Sequence, residues 1–122
     1  MSTAAAPWPI ELKYSSERRV LSVRFDDGSS FELPAEYLRV ESPSAEVQGH
    51  GAAQRITVGG KRQVTIARLE PVGRYAVRIV FDDGHDTGLF SWPYLHELGR
   101  DQFKRWADYE KRLAAARLRR DA

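Results

Sequence analysis

A short pattern that occurs twice constrains the fold of this chain more than any other feature of its sequence. Residues 20–38 read VLSVRFDDGSSFELPAEYL, and residues 76–95 read AVRIVFDDGHDTGLFSWPYL. The offset is 56 residues from Phe25 to Phe81 but 57 from Tyr37 to Tyr94, so the second copy contains one extra residue. Each copy predicts a strand, a tight turn, a returning strand and a short helix.

The apolar pattern of the first copy selects its turn. A two-residue loop would mix polar and apolar side chains on each face of the hairpin. A three-residue loop over Asp26–Gly28 instead pairs Val23 with Phe31 and Leu21 with Leu33, which gives one apolar face. We therefore predict a type I turn whose glycine adopts a positive φ.

The same rule predicts the register of the second copy. It pairs Ile79 with Thr87 and Val77 with Leu89. It also places His85 opposite the last residue of the strand, on the core-facing side at the rim of the hairpin.

Segments outside the two copies complete an α+β fold. Strands are predicted at 10–14 and 64–69, a turn at 70–73, a returning strand at 75–81, and a further short strand is possible at 56–58. Ser91 is expected to cap a short helix that Gly99 ends, and Asp101 to cap a longer helix. The buried stripe of that longer helix is predicted to contain Phe103, Trp106, Tyr109 or Ala107, and Leu113.

The predicted architecture is a small, mostly antiparallel sheet of five or six strands, built from two similar hairpin–helix units with a C-terminal helix. One domain is expected over residues 9–115. Residues 1–8 are predicted to be a flexible N-terminus and residues 116–122 a basic tail.

Composition excludes several classes of function. The chain has no cysteine, so it has no disulfide, no thiolate nucleophile and no thiolate metal site. Its 19 basic and 17 acidic residues give a net charge of +2, and nucleic-acid binding is not expected. No signal peptide and no membrane span is predicted, which favours a cytoplasmic protein.

Catalytic and metal-binding patterns are sparse. His50, His85 and His96 do not stand in a recognised metal spacing. The Asp-Asp pairs of the two hairpins fit turn residues better than calcium or acid–base sites. Gly59-Gly60-Lys61 resembles the end of a phosphate loop but lacks the earlier glycine and the following serine or threonine, so a hairpin turn is favoured.

Four stretches together carry a family resemblance. They are 38–47 (LRVESPSAEV), 49–51 (GHG), 71–77 (PVGRYAV), and 81–88 (FDDGHDTG) with 92–95 (WPYL). They resemble a bacterial family of unknown function related to the N-terminal domain of gamma-butyrobetaine and trimethyllysine hydroxylases. The resemblance runs from about Pro9 to Leu113.

The resemblance implies a zinc-holding module whose ligands in the hydroxylases are three cysteines after the first unit and a histidine after the second turn. His85 falls at the histidine position, but no cysteine follows Leu38-Arg39 here. No metal and no other cofactor is therefore expected. A related domain also looks to be appended to some P-loop carriers for iron–sulfur cluster assembly, and this resemblance implies a partner-binding role.

We therefore predict a non-catalytic accessory module that binds a protein partner or a small ligand. The candidate binding residues are Ser42, Ser44, Glu46, His50, His85, Trp92 and Tyr94. One alternative is that the loop over 42–51 only clamps the fold. Others are a partner-binding domain in iron–sulfur cluster assembly and a small metal-dependent enzyme using His50 and His85. The oligomeric state stays open.

Overall fold

The computed structural model describes residues 7–44 and 57–121. A first three-stranded antiparallel sheet contains β1 (Pro9–Ser15), β2 (Val20–Phe25) and β3 (Ser30–Pro34), and α1 (Ala35–Val40) follows. A second such sheet contains β4 (Ile66–Val72), β5 (Ala76–Phe81) and β6 (Leu89–Ser91), followed by α2 (Trp92–Arg100) and α3 (Gln102–Ala115). The α+β class and the C-terminal helix are confirmed, and the six strands within the described residues divide into two sheets.

The repeated unit is longer than the repeated sequence, because each copy also includes a preceding strand. Both β1–β2 and β4–β5 contain a register shift directly after the first residue of their first strand. The backbone amide of Trp8 donates to Asp26 Oδ1, and that of Thr65 donates to Asp82 Oδ1, each at 2.9 Å. The first aspartate of each turn therefore fixes the start of its neighbouring strand.

The first hairpin has the predicted register. Val23 pairs with Phe31 and Leu21 with Leu33, and both β2 residues are fully buried. Gly28 follows the two aspartates with a φ of 88°, a conformation that favours glycine. The three-residue loop is confirmed.

The second hairpin departs from the predicted register after its turn. The Phe81 amide donates to the His85 carbonyl at 2.9 Å, as expected from the first copy. Val77, however, pairs with Phe90 and not with Leu89, and the Ile79 amide faces Gly88 and not Thr87. The extra residue of this copy lies between 85 and 89, which shifts the register by one and puts Phe90 into the core.

Both C-terminal helices differ from prediction in one respect. Ser91 caps α2 as expected, since its hydroxyl accepts from the Tyr94 amide at 3.3 Å. Gly99 does not end α2, because the helix continues to Arg100. The Asp101 side chain does not cap α3 and instead pairs with Arg100 at 3.1 Å. Because the Asp101 carboxylate is bonded to the Arg100 guanidinium, it does not accept hydrogen bonds from the first amides of α3.

The β4–β5 connection also lies later than predicted. The strand expected at 64–69 covers Ile66–Val72, and the turn comprises residues 73–75, with Gly73 at a φ of 59°. The possible short strand at 56–58 falls partly outside the described residues, and 57–58 are not in a strand. A positive φ at Gly73 explains why the chain reverses there.

The two units pack against each other reciprocally. The Tyr37 hydroxyl of α1 donates to the Leu98 carbonyl of α2 at 2.7 Å, and the Tyr94 hydroxyl of α2 donates to the Glu41 carbonyl after α1 at 2.5 Å. The two donors are 57 positions apart in the sequence, and the two acceptors are separated by the same number of positions. Equivalent side chains from both units form one core: Leu21, Val23, Phe25, Leu33 and Leu38 from the first, and Val77, Ile79, Phe81, Phe90 and Leu95 from the second.

The chain after α3 folds back onto the domain. Arg117 has a φ of 57°, and the Leu118 amide donates to the Leu113 carbonyl, a pattern typical of a Schellman helix end. The Gly60 amide then donates to the Arg119 carbonyl at 2.7 Å. Residues 117–121 thus contact the segment that precedes β4.

None of the helices within residues 7–44 and 57–121 has the length and apolar character needed to span a bilayer.

Candidate functional site

Three predicted site residues meet at the rim of the second hairpin. Ser42 and Ser44 follow α1, and His85 follows the turn between β5 and β6. The Ser42 hydroxyl lies 2.9 Å and the Ser44 hydroxyl 3.3 Å from His85 Nε2. All three residues are buried. We call them the serine–histidine cluster; it joins the end of the first unit to the turn of the second.

Gly88 provides the space for this cluster. A Cβ at Gly88 would overlap the Ser42 hydroxyl and lie 3.2 Å from the Phe90 ring. The equivalent residue of the first unit is Phe31, which packs edge-on against His96 at 5.4 Å. One corner of the domain is therefore filled by aromatic rings and the corresponding corner by hydrogen-bonded polar groups.

A partly exposed ion cluster borders the same turn. Asp83 Oδ2 lies 2.9 Å from Arg39 Nε and 2.5 Å from Lys61 Nζ, and Asp83 Oδ1 accepts from the His85 amide at 3.1 Å. Burial raises the pKa of the Asp83 carboxyl, but the bonds from Lys61, the His85 amide and Arg39 outweigh it and hold the pKa at about 2. Asp83 is therefore ionised at neutral pH and fixes the turn.

The carboxylate of Glu41, which directly precedes Ser42 in the chain, is buried. Glu41 is 1% exposed, and its oxygens lie 2.8 Å from Arg105 and 3.4 Å from Arg112 of α3. Arg105 also pairs with Glu97 of α2. These bonds join the residue after α1 to both C-terminal helices, because a buried carboxylate is costly without such partners.

The structure separates the remaining predicted residues. Tyr94 reaches the neighbourhood of the cluster through its bond to the Glu41 carbonyl. Trp92 lies at the other end of the hairpin, where its indole N–H donates to the Arg74 carbonyl at 2.7 Å and its ring packs 6.3 Å from Trp8. Glu46 and His50 lie outside the described residues.

The residues of this corner do not fit a zinc ion. Zinc sites in proteins use thiolate, imidazole and carboxylate ligands, whereas the groups around His85 Nε2 are serine hydroxyls. Within the described part of the chain, no group of three or more His, Asp or Glu side chains is placed to hold a metal ion. His85, which the resemblance implies to be a zinc ligand, is held here by hydrogen bonds to Ser42 and Ser44.

Sequence reasoning missed a second candidate surface on α3. A groove of about 580 Å³ is lined by Gly99, Arg100, Gln102, Phe103, Trp106, Ala107 and Glu110, and we call it the α3 groove. Phe103, predicted to be buried, is 92% exposed there. The other predicted members of the stripe, Trp106, Tyr109 and Leu113, do pack against the core. Helical spacing alone favoured Phe103, since it lies one turn before Trp106.

These features define a class of protein: a small α+β domain of two interlocked units with a histidine at the corner that follows the first helix. The chain belongs to the family described as gamma-butyrobetaine hydroxylase-like, N-terminal, whose family model matches residues 12–96. No curated protein matches the chain.

Solved structures share this fold. Two solution NMR structures are 44% and 46% identical in sequence, each with a TM-score of 0.83; the alignments cover 96% and 98% of this chain and 92% and 89% of those chains. A crystal structure of a protein of unknown function from Acidithiobacillus ferrooxidans, of the DUF971 family, is 41% identical with a TM-score of 0.62. That alignment covers 75% of this chain and 91% of the other.

Proposed function

We propose that this domain is a non-catalytic module of the cytoplasm that binds a partner protein through the α3 groove. The observation that carries the proposal is the 92% exposure of Phe103 beside this groove. A phenylalanine left in water forgoes about 1.5–3 kcal/mol that burial would provide. Exposed aromatic side chains next to a concave apolar surface are typical of the centres of protein interfaces.

The chemistry of the α3 groove indicates what kind of partner fits. Trp106 is half-buried, and Gly99 and Ala107 are small, so an apolar side chain can approach closely. Arg100 and Glu110 line the groove with side chains of opposite charge, and Arg100 keeps N–H donors beyond its pair with Asp101. We propose an amphipathic helix of the partner as the occupant, with an apolar residue beside Phe103, an acidic residue near Arg100 and a basic residue near Glu110.

The geometry of the serine–histidine cluster supports a non-catalytic role. Asp83, the acid of the same turn, accepts from the backbone amide of His85 and is held by Arg39 and Lys61, so it fixes the turn. Ser42 and His85 are also buried, which leaves a substrate no direct approach. We propose that this cluster holds the two units together and that recognition takes place elsewhere.

Site-specific photocrosslinking in the native host tests the proposed surface. A photoreactive amino acid placed at Phe103 should yield one discrete crosslinked protein. The matched control is the same amino acid at Tyr75, which is 65% exposed in the β4–β5 turn. We expect no discrete product there, and Ala107→Arg should abolish the product formed at position 103.

Two results would overturn the proposal. One is a similar set of products from positions 103 and 75, which would show that Phe103 is merely an exposed side chain. The other is a product consisting of two copies of this chain, which would assign the α3 groove to self-association.

A further inference from the structure

We propose that a cleft on another face of the domain binds a phosphate group. This arginine cleft has a volume of about 260 Å³, and the lining residues that matter here are Arg18, Arg19, Glu36, Arg62, Gln63 and Arg120. They come from the β1–β2 turn, from α1, from the segment before β4 and from the chain after α3. The proposal does not depend on a partner at the α3 groove.

Arg19 is the residue that points to a ligand. Its φ is 57°, a left-handed conformation that an arginine adopts at a cost and a glycine would adopt freely. Its guanidinium bonds to the Gln63 amide oxygen, and no carboxylate within the described residues pairs with it. A strained backbone that holds a charged side chain at a cleft is typical of a binding site.

The other arginines surround this position and are fixed in place. Arg120 bonds Glu36 through Nε and Nη2, at 2.9 and 2.8 Å. The Arg62 amide donates to the Arg120 carbonyl at 3.0 Å, which ties the two segments together. The cleft is thus built before any ligand arrives, so little ordering is needed on binding.

The charges of the cleft favour an anion. Arg18 pairs with Glu32, Arg62 with Asp121 and Arg120 with Glu36. Among the residues that the structure describes, the charge of Arg19 is therefore left uncompensated. Each guanidinium has five N–H donors, and these pairs use only some of them. An anion can therefore bind without breaking the pairs.

The arrangement of donors fits phosphate better than carboxylate. One planar guanidinium fork satisfies a carboxylate. Here the arginines approach from three separate segments, which suits a tetrahedral group whose oxygens point in several directions. The small volume fits a single phosphate group with little attached to it.

An NMR titration with inorganic phosphate at constant ionic strength tests the site. We expect saturable amide shifts at Arg19, Arg62 and Gln63. Arg19→Gln should weaken binding about tenfold, since a charged hydrogen bond is lost. The matched control is Arg74→Gln, which changes an exposed arginine in the β4–β5 turn and should leave the affinity within about twofold.

A second variant keeps the test independent of folding. Arg19→Gly relieves the left-handed strain, so its Tm should be unchanged or raised while phosphate binding is lost. Acetate should give no saturable shift. A phosphate monoester that binds more tightly than phosphate would identify an attached phosphate as the ligand, and equal affinity would identify the free ion.

Three results would overturn the proposal. They are shifts that grow linearly with phosphate, equal weakening by Arg19→Gln and Arg74→Gln, and acetate that competes with phosphate at equal concentration.

Discussion

Replacing Gly99 with alanine adds a single methyl group, and we expect it to destabilise the domain. A Cβ at this position would lie 2.7 Å from Phe31 Cδ1 and closer still to Cγ and Cδ2. Carbon atoms pack best at about 3.5–4.0 Å, so three ring atoms would be too close. The Phe31 ring cannot move away easily, because Phe25 and His96 hold it at 6.1 and 5.4 Å.

Two opposing effects set the size of the change. Overpacking a core costs about 1–3 kcal/mol, and this overlap belongs at the upper end. Alanine is favoured over glycine in a helix by about 1 kcal/mol at most, and Gly99 is the penultimate residue of α2. We therefore expect Gly99→Ala to lower the free energy of unfolding by about 2 kcal/mol.

Urea unfolding followed by tryptophan fluorescence measures this change, and a double-mutant cycle isolates its cause. In a Phe31→Ala background the overlap is gone, so Gly99→Ala should be neutral or stabilising there. Additive effects of Gly99→Ala and Phe31→Ala would refute the reasoning.

Further predictions concern the second hairpin and can be checked by similar measurements. His85→Ala should cost about 1–3 kcal/mol in urea unfolding, because Ser42 and Ser44 lose their shared partner; a neutral effect would contradict the buried cluster. Gly84→Val should cost about 1–3 kcal/mol, because Gly84 has a φ of 92° that valine adopts only under strain. Nothing lies within 4 Å of the position of a Cβ, so the cost would come from the backbone alone, and an unchanged urea midpoint would contradict the turn. Asp83→Asn should be destabilising at pH 7, and its difference from the wild type should disappear as the pH falls from about 4 to about 2, because the folded-state pKa lies below the unfolded value; a constant difference would show that the charge of Asp83 does not matter. Zinc analysis of untagged protein should find less than one ion per chain. A stoichiometric zinc ion that survives dialysis would contradict the claim that the groups around His85 do not fit zinc.

Sequence periodicity was sufficient where one strand face is apolar and the turn is short. Leu21, Val23 and Phe31 leave only one consistent register, and the structure has it. The same rule failed beyond His85, because the extra residue can be placed anywhere in the polar stretch before Leu89. Only the packing of Phe90 against the core determines where it goes.

The candidate sites show a similar division. The position of His85 followed from local register, and its meeting with Ser42 depends on how the two units pack. The arginine cleft was not predictable, since Arg19 and Arg120 are 101 positions apart in the sequence. The exposure of Phe103 was missed for a related reason. Its spacing is that of a core residue, and which residues of α3 contact the core depends on how the helix packs against the rest of the domain.

The reciprocal bonds of Tyr37 and Tyr94 have a consequence for the ancestry of the domain. In a symmetric homodimer, each contact between the subunits occurs twice, once in each direction. A gene duplication that fused two such subunits would leave these bonds within one chain, as seen here. After fusion the two halves can change independently. The position that is Phe31 in the first unit is therefore Gly88 in the second, where the smaller residue leaves space for Ser42 and His85. Residues 7–44 expressed alone are therefore expected to pair with themselves, since each copy would supply the tyrosine that the other requires.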